Sequence, residues 1–357
     1  MDYRPDAAGG TVLRATTEQA VTTDYATDGA GAAGRDLVYL GESTRYEWTA
    51  AGEQFTLVVP VAARLREEPT AVLDSLSAAA ERLTIGPRDT AHLVVVAPTS
   101  VAWGPAGIQT GERDFWVYAN ATVDSPANIW IHEYVHTRQT YRPTATTRWT
   151  IEGTAKYYAA LETLRQGRID FEQFRRHLGR AGRYDGVLAD PTTWTDVLVP
   201  YLNGALVAGE LDRRIRRASG GEASLATVLR SLNGSVDRET LLSAVERTGN
   251  ASTRTAAETY TQTDTLPDPW SRAEHEAAFG SVPATPTPTA TATPTPTATP
   301  TPTATPTRPS TETPRRTLSA TPSASPSPTQ TGGQAGVGLL AALAALAVVG
   351  WQASTQR

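Results

Sequence analysis

Asn128-Ile-Trp-Ile-His-Glu-Tyr-Val-His-Thr-Arg-Gln139 is the stretch on which the fold turns. His132 and His136 stand four apart with Glu133 between them. On a helix that spacing puts both imidazoles on one face, one turn apart, where they can share a metal ion with a glutamate beside it. Ile129, Trp130, Ile131, Tyr134 and Val135 clothe most of the remaining circumference, so a buried helix is expected. Asp124-Ser125-Pro126 offers an N-cap hydroxyl with proline at the first helical position, and Pro143 is the expected stop. The plainer alternative is a chance match on a core helix, although two of the chain's five histidines fall here.

Upstream, Asp36–Leu40, Tyr46–Trp48, Gln54–Pro60, His92–Ala97 and Phe115–Val123 read as strands, and Ala71–Leu83 as an amphipathic helix. A small sheet backing the motif helix is the expected scaffold. His92, at a strand end, is expected near the surface rather than among the ligands. Downstream, Arg148-Trp-Thr-Ile-Glu-Gly-Thr-Ala-Lys-Tyr-Tyr-Ala-Ala-Leu161 reads as a second helix, further helices are expected over 205–215, 224–232 and 239–247, and Ala257–Pro267 is expected to close the domain with Trp270 as a last core anchor.

Glu152 is an acidic residue in that second helix's apolar first turn. A buried carboxylate needs a partner, and a metal supplies one. Two histidines and one carboxylate with an open fourth position make the usual catalytic zinc arrangement, so Glu152 is expected as third ligand. The alternative is a first-turn glutamate favoured by the helix dipole. The chain has no cysteine, which removes disulfides, a thiol nucleophile and thiolate ligands from consideration.

The 357 residues are 39% hydrophobic and 19% charged with a net charge of -5, and no basic cluster is interleaved with aromatics. Nucleic acid is therefore not an expected partner. Residues 1–35, rich in Ala, Gly, Thr and Asp, are expected to be a poorly ordered lead without a signal core. From 279 to 334 the chain is a Thr/Pro/Ser-rich stretch that cannot build a core, expected as a disordered stalk. An apolar segment over 335–351 is near the lower length limit for crossing a bilayer, and residues 352–357 form a short tail. Stalk and segment together resemble surface proteins whose C-terminal hydrophobic segment anchors or sorts them. That resemblance implies membrane attachment with the globular part, over 36–278, facing outside the cell.

Several blocks resemble the glycyl aminopeptidase family of gluzincins and, more distantly, the membrane alanyl aminopeptidases (aminopeptidase N). They are His132-Glu-Tyr-Val-His-Thr137, Arg142-Pro143, Trp149-Thr-Ile-Glu-Gly-Thr-Ala-Lys-Tyr-Tyr158, Tyr201-Leu-Asn-Gly-Ala-Leu-Val207, Leu211–Arg216 and Gly220–Leu229, in the family's order. The resemblance covers about residues 53–270. It implies an α+β fold: a thermolysin-like zincin domain of small β-sheet and active-site helix, then a mainly helical second half. The disordered stalk and a C-terminal transmembrane helix would follow it.

Residue by residue, the resemblance implies Zn2+ held by His132, His136 and Glu152, with Glu133 as general base and acid. It implies Tyr201 as oxyanion stabiliser. Glu112, ending a Gly-rich stretch, is a poor match to the family's anchor for a substrate amino terminus. Fifteen residues separate His136 from Glu152, fewer than is usual in the family. Asn203 stands in place of a common lysine, and Lys156, the sole lysine of the chain, stands where some relatives carry an acid. A zinc-dependent, aminopeptidase-like hydrolase acting on peptides or proteins at the cell surface is the function implied. A non-catalytic surface or envelope protein on the same fold is the alternative.

Overall fold

The computed structural model describes the backbone of residues 2–5 and 11–14, and both backbone and side chains of 25–88 and 90–284. Strands β1 (Asp2–Pro5), β2 (Thr11–Arg14), β3 (Gly31–Ala33) and β4 (Val38–Leu40) make an antiparallel sheet in the order β1-β2-β4-β3. Then come β5 (Ser43–Ala50), β6 (Glu53–Pro60), α1 (Pro69–Arg82), β7 (Ala91–Ala97), β8 (Gly107–Thr110) and β9 (Asp114–Tyr118). Their five strands pair in the order β5-β6-β7-β9-β8. The outer pairs β5/β6 and β8/β9 are antiparallel, and β7 runs parallel to both neighbours.

The motif helix α2 (Ile129–Arg138) follows, then β10 (Arg142–Pro143), α3 (Trp149–Arg165) and α4 (Phe171–Leu178). The rest is α5 (Val199–Ala218), α6 (Leu225–Ser231), β11 (Ser235–Val236), α7 (Arg238–Thr248), α8 (Ala251–Gln262) and α9 (Arg272–Phe279). A mixed sheet followed by a helical half is the α+β order expected. α4 and α9 were not foreseen.

Both faces of the central sheet are covered, which is why β7 is almost continuously apolar. Phe55, Leu57, Val94, Val96, Phe115 and Val117 face the helices and share a core with Trp130, Tyr134 and Val135 of α2. On the other face, Val58, Leu93, Val95 and Trp116 pack against Ala32, Leu37 and Tyr39. This corrects the expectation of a poorly ordered lead over 1–35, part of which supplies strands and the buried Gly31 and Ala32. Without that cover the outer face of β7 and β9 would stand bare to water. Asp114 fastens it, its buried carboxylate accepting from the backbone N–H of Asp36 at 2.7 Å, Leu37 at 3.1 Å and Leu93 at 2.9 Å.

α3 and α5 cross at glycines. A Cβ on Gly153 would meet the backbone of Gly204 at 2.7 Å, so the helices touch main chain to main chain. Tyr157 of α3 donates to Asp212 of α5 at 2.7 Å, and the same carboxylate accepts from Leu225 N at the start of α6 at 2.8 Å. Trp270 is buried as a core anchor beside Phe174 and His275, which ties α9 to α4.

The Thr/Pro stalk and the apolar C-terminal segment lie outside the described residues. Among the described residues no helix is long and apolar enough to cross a membrane.

Candidate metal centre

α2 starts later than the sequence suggests. Its N-cap is Asn128, whose Oδ1 accepts from Ile131 N at 3.3 Å while its Nδ2 donates to Val123 O at 3.1 Å and Ser75 Oγ at 3.2 Å. Ser125 and Pro126 precede the helix in a turn, because a fully buried asparagine can cap the helix and tie it to α1 with the same amide. The helix also ends before Pro143, at Arg138.

Two faces of α2 carry polar clusters. Toward the sheet, Tyr134 and Arg138 donate to the fully buried Glu53 at the start of β6, and Arg138 also donates to Gly86 O at 2.8 Å. His92 joins them, 3.2 Å from Glu53 and only 2% exposed. It stacks on Phe55 and donates from Nδ1 to Arg113 O at 2.7 Å. The surface position expected for His92 is thus wrong, because β7 is an inner strand. Burial would raise the Glu53 carboxyl, but bonds from His92 and Tyr134 and the Arg138 charge hold it below its ordinary range.

The other face gathers His132, His136 and Glu152, as the spacing predicts. The two imidazole Nε2 atoms are 3.1 Å apart, and Glu152 Oε2 lies 3.3 Å from that of His132 and 3.4 Å from that of His136. A tetrahedral zinc ion with bonds of about 2.0–2.1 Å spaces its ligand atoms about 3.3–3.4 Å apart, so this triangle has the size of one face of such a site. Glu152 Oε2 is also a buried oxygen without a hydrogen-bond partner, an oxygen a cation would satisfy. Among the described residues these three form the one cluster of histidines and carboxylates able to share an ion. The donor set therefore fits zinc.

Electrostatics follow from this crowding. Burial would raise Glu152, but the His136 charge and the closeness of both imidazoles pull it far below the usual carboxylate range. Burial would lower His136, yet the Glu152 charge raises it to about 9. His132 is held down, chiefly by burial. Glu133 is pushed up to about 7 by burial, despite the His136 charge and a 2.7 Å bond accepted from Gln109 N. That bond brings the edge strand β8 against α2, at a point where a Cβ on Gly107 would meet Glu133 Cγ at 2.9 Å.

Tyr201 stands in the first turn of α5, its ring stacked 6.2 Å from that of His132. Burial first, then the charges of Glu152 and Glu133, keep its hydroxyl protonated. Glu112 is not drawn into this group. It lies on the turn after β8 with its side chain 75% exposed, 3.8 Å from Arg35. Asn203 is buried and accepts from Gly182 N at 2.8 Å, a loop anchor rather than a site residue. Lys156, four residues after Glu152, is lowered to about 8 by burial and the nearby Arg180 charge.

No protein-family model matches this chain, and no curated protein matches it either. Solved structures do. The M1 zinc metallopeptidase from Deinococcus radiodurans superposes with a TM-score of 0.52 at 17% identity, over 66% of this chain and 55% of that one. A mutant of that enzyme bound to a Tyr-Ser-Ala substrate gives 0.53 at 14% identity, over 74% and 63%. The fold is M1-like. An aminopeptidase N family protein from Idiomarina loihiensis is 21% identical over 62% of this chain and 44% of its own, with a TM-score of 0.42. The chain spans less than two thirds of each of these proteins.

Proposed function

We propose that this protein is a zinc-dependent peptide hydrolase whose metal is held by His132, His136 and Glu152. The observation that carries the proposal is the triangle of two imidazole nitrogens and an unpartnered carboxylate oxygen, 3.1 to 3.4 Å on a side, with a buried glutamate next to it. Zinc bound there supplies Lewis acidity toward a peptide carbonyl.

The chain's own residues do the rest. Glu133, buried beside the ligand triangle, accepts the proton of the attacking water and returns it to the leaving amine. Gln109 N fixes the carboxylate through one oxygen, which leaves the other for that transfer. Tyr201 keeps its proton and donates to the oxyanion as the carbonyl carbon becomes tetrahedral, a contribution of about 3 kcal/mol. Aminopeptidase-like activity and kinship with the glycyl aminopeptidases are the finer part of the proposal. Tethering outside the cell rests on the composition of residues 279–351 alone.

Elemental analysis of the purified full chain is the test. One zinc per chain is expected, lost or weakened in Glu152→Ala. Glu133→Gln is expected to keep its zinc while peptide hydrolysis falls by about 10²–10⁴-fold. A Glu133→Gln protein that hydrolyses peptides at the wild-type rate would sink the proposed role.

A further inference from the structure

Gln139, the residue that caps α2, joins the two halves of the metal centre through one side-chain amide. Its Nε2 donates to Ile151 O at 2.9 Å and to Thr154 Oγ1 at 2.8 Å, on the first two turns of α3 to either side of Glu152. Its Oε1 lies 2.9 Å from His136 Nδ1. The amide has only one workable orientation. Ile151 O is an acceptor, and Thr154 Oγ1 has committed its own proton to Thr150 O at 2.7 Å, so both need a donor. Nε2 must therefore face α3, which turns Oε1 toward His136.

Facing an amide oxygen, His136 Nδ1 must carry a proton and donate it. In the neutral ring, the form that binds a metal, Nε2 is then the nitrogen left with a lone pair to offer, and Nε2 is the atom that faces His132 and Glu152.

We infer that Gln139 is a positioning residue that selects the ligating nitrogen of His136 and clamps α2 to the α3 turn carrying Glu152. The inference rests on the zinc reading above. It also gives the short connection between His136 and Glu152 a mechanical part, since one side chain spans its two ends.

Zinc affinity of the full chain, measured by competition with a chromophoric chelator, tests it with Gln139→Leu and Gln139→Glu. The leucine variant removes both arms and is expected to bind zinc about 10–100-fold more weakly. The glutamate variant keeps the acceptor for Nδ1 but loses both donors, and is expected to fall between leucine and wild type. NMR of the ¹⁵N-histidine-labelled, zinc-loaded protein reads the tautomer directly. A slowly exchanging His136 Nδ1–H is expected in wild type and Gln139→Glu, and a rapidly exchanging one in Gln139→Leu. Folded Gln139→Leu with wild-type zinc affinity, or a wild-type His136 protonated at Nε2, overturns the inference and leaves the zinc proposal standing. A wild type that takes up no zinc brings down both.

Discussion

One helix, α2, carries two buried clusters of histidine and glutamate on its two sides, and they are chemically opposite. Around Glu53 donors predominate: Arg138 and Tyr134 bond to it directly, and Thr90 adds a hydroxyl at 3.0 Å. Around Glu152 the neighbours are imidazole nitrogens facing one another, and one carboxylate oxygen has no partner. The first cluster contains its own cation, while the second has two nitrogens and an oxygen converging on a point. Residue composition alone would not separate a structural ion pair from a ligand set. The balance of donors against lone pairs does.

The largest expected effect breaks the structural side. Glu53→Ala leaves Arg138, 1% exposed, without its counter-charge. We expect a loss of about 3–5 kcal/mol in denaturant unfolding. Glu152→Ala in chelator-treated protein is expected to lose less than half as much, since the Glu152 side chain is 28% exposed and leaves no permanently charged partner behind. Equal losses would erase the distinction between the two faces.

Acid sharpens it next. His177 and His275 are buried, and burial holds them down to about 3 and about 4, whereas unfolded histidine titrates near 6.5. Their folded values are depressed, so the unfolded chain takes up protons first as pH falls. Their contribution is complete above about 6.5 and is lost progressively toward about 4, on the order of 3 kcal/mol for His275. His275 Nδ1 also accepts from Trp270 Nε1 at 3.2 Å, a bond that protonation of Nδ1 removes. Hydrogen exchange at pH 4.5 should therefore open α9 before the Glu53 face of α2, where an arginine supplies the charge and the carboxyl is held low. Simultaneous opening would contradict this.

Glycine contacts give a smaller effect. Gly153→Ala pushes against the backbone of Gly204 and should cost about 1–3 kcal/mol, measured by thermal unfolding. Asn128→Ala is expected to cost about 1 kcal/mol through the lost cap of α2. A neutral Asn128→Ala would mean that the packing of α2 alone fixes where it starts.

The His132 and His136 face of α2 was legible because its signal is local. His132, Glu133 and His136 lie within five residues, and Glu152 stands out as an acid among apolar neighbours in the same helix turn. The strands 54–60 and 92–97 were legible from their apolar runs. The Glu53 cluster was not, since Glu53 and Arg138 are 85 residues apart and only the folded sheet brings them together. His92 was misplaced because strand order, which decides whether a strand end is inside, is not written in its own residues. The strands before residue 35 carry too little pattern to read: β1 is Asp-Tyr-Arg-Pro, β3 is Gly-Ala-Ala, and β2 offers only the pair Val12-Leu13. α4 escaped despite a usable signal: Asp170 and Gln173 form a capping box, and Phe171, Phe174 and Leu178 recur at helical spacing. Gln139 and Gln109 act through bonds to other elements that sequence spacing does not encode.

The glycine contact between α3 and α5 has a further consequence. Glu152 precedes Gly153 by one residue, and Tyr201 precedes Gly204 by three, so carboxylate and phenol both start within a turn of the point where the helices touch. Any added volume there acts as a wedge close to the fulcrum. It would change the gap between Glu152 and Tyr201, the proposed metal ligand and oxyanion donor, without altering either residue, so the proposed turnover should be more sensitive to this crossing than overall stability is.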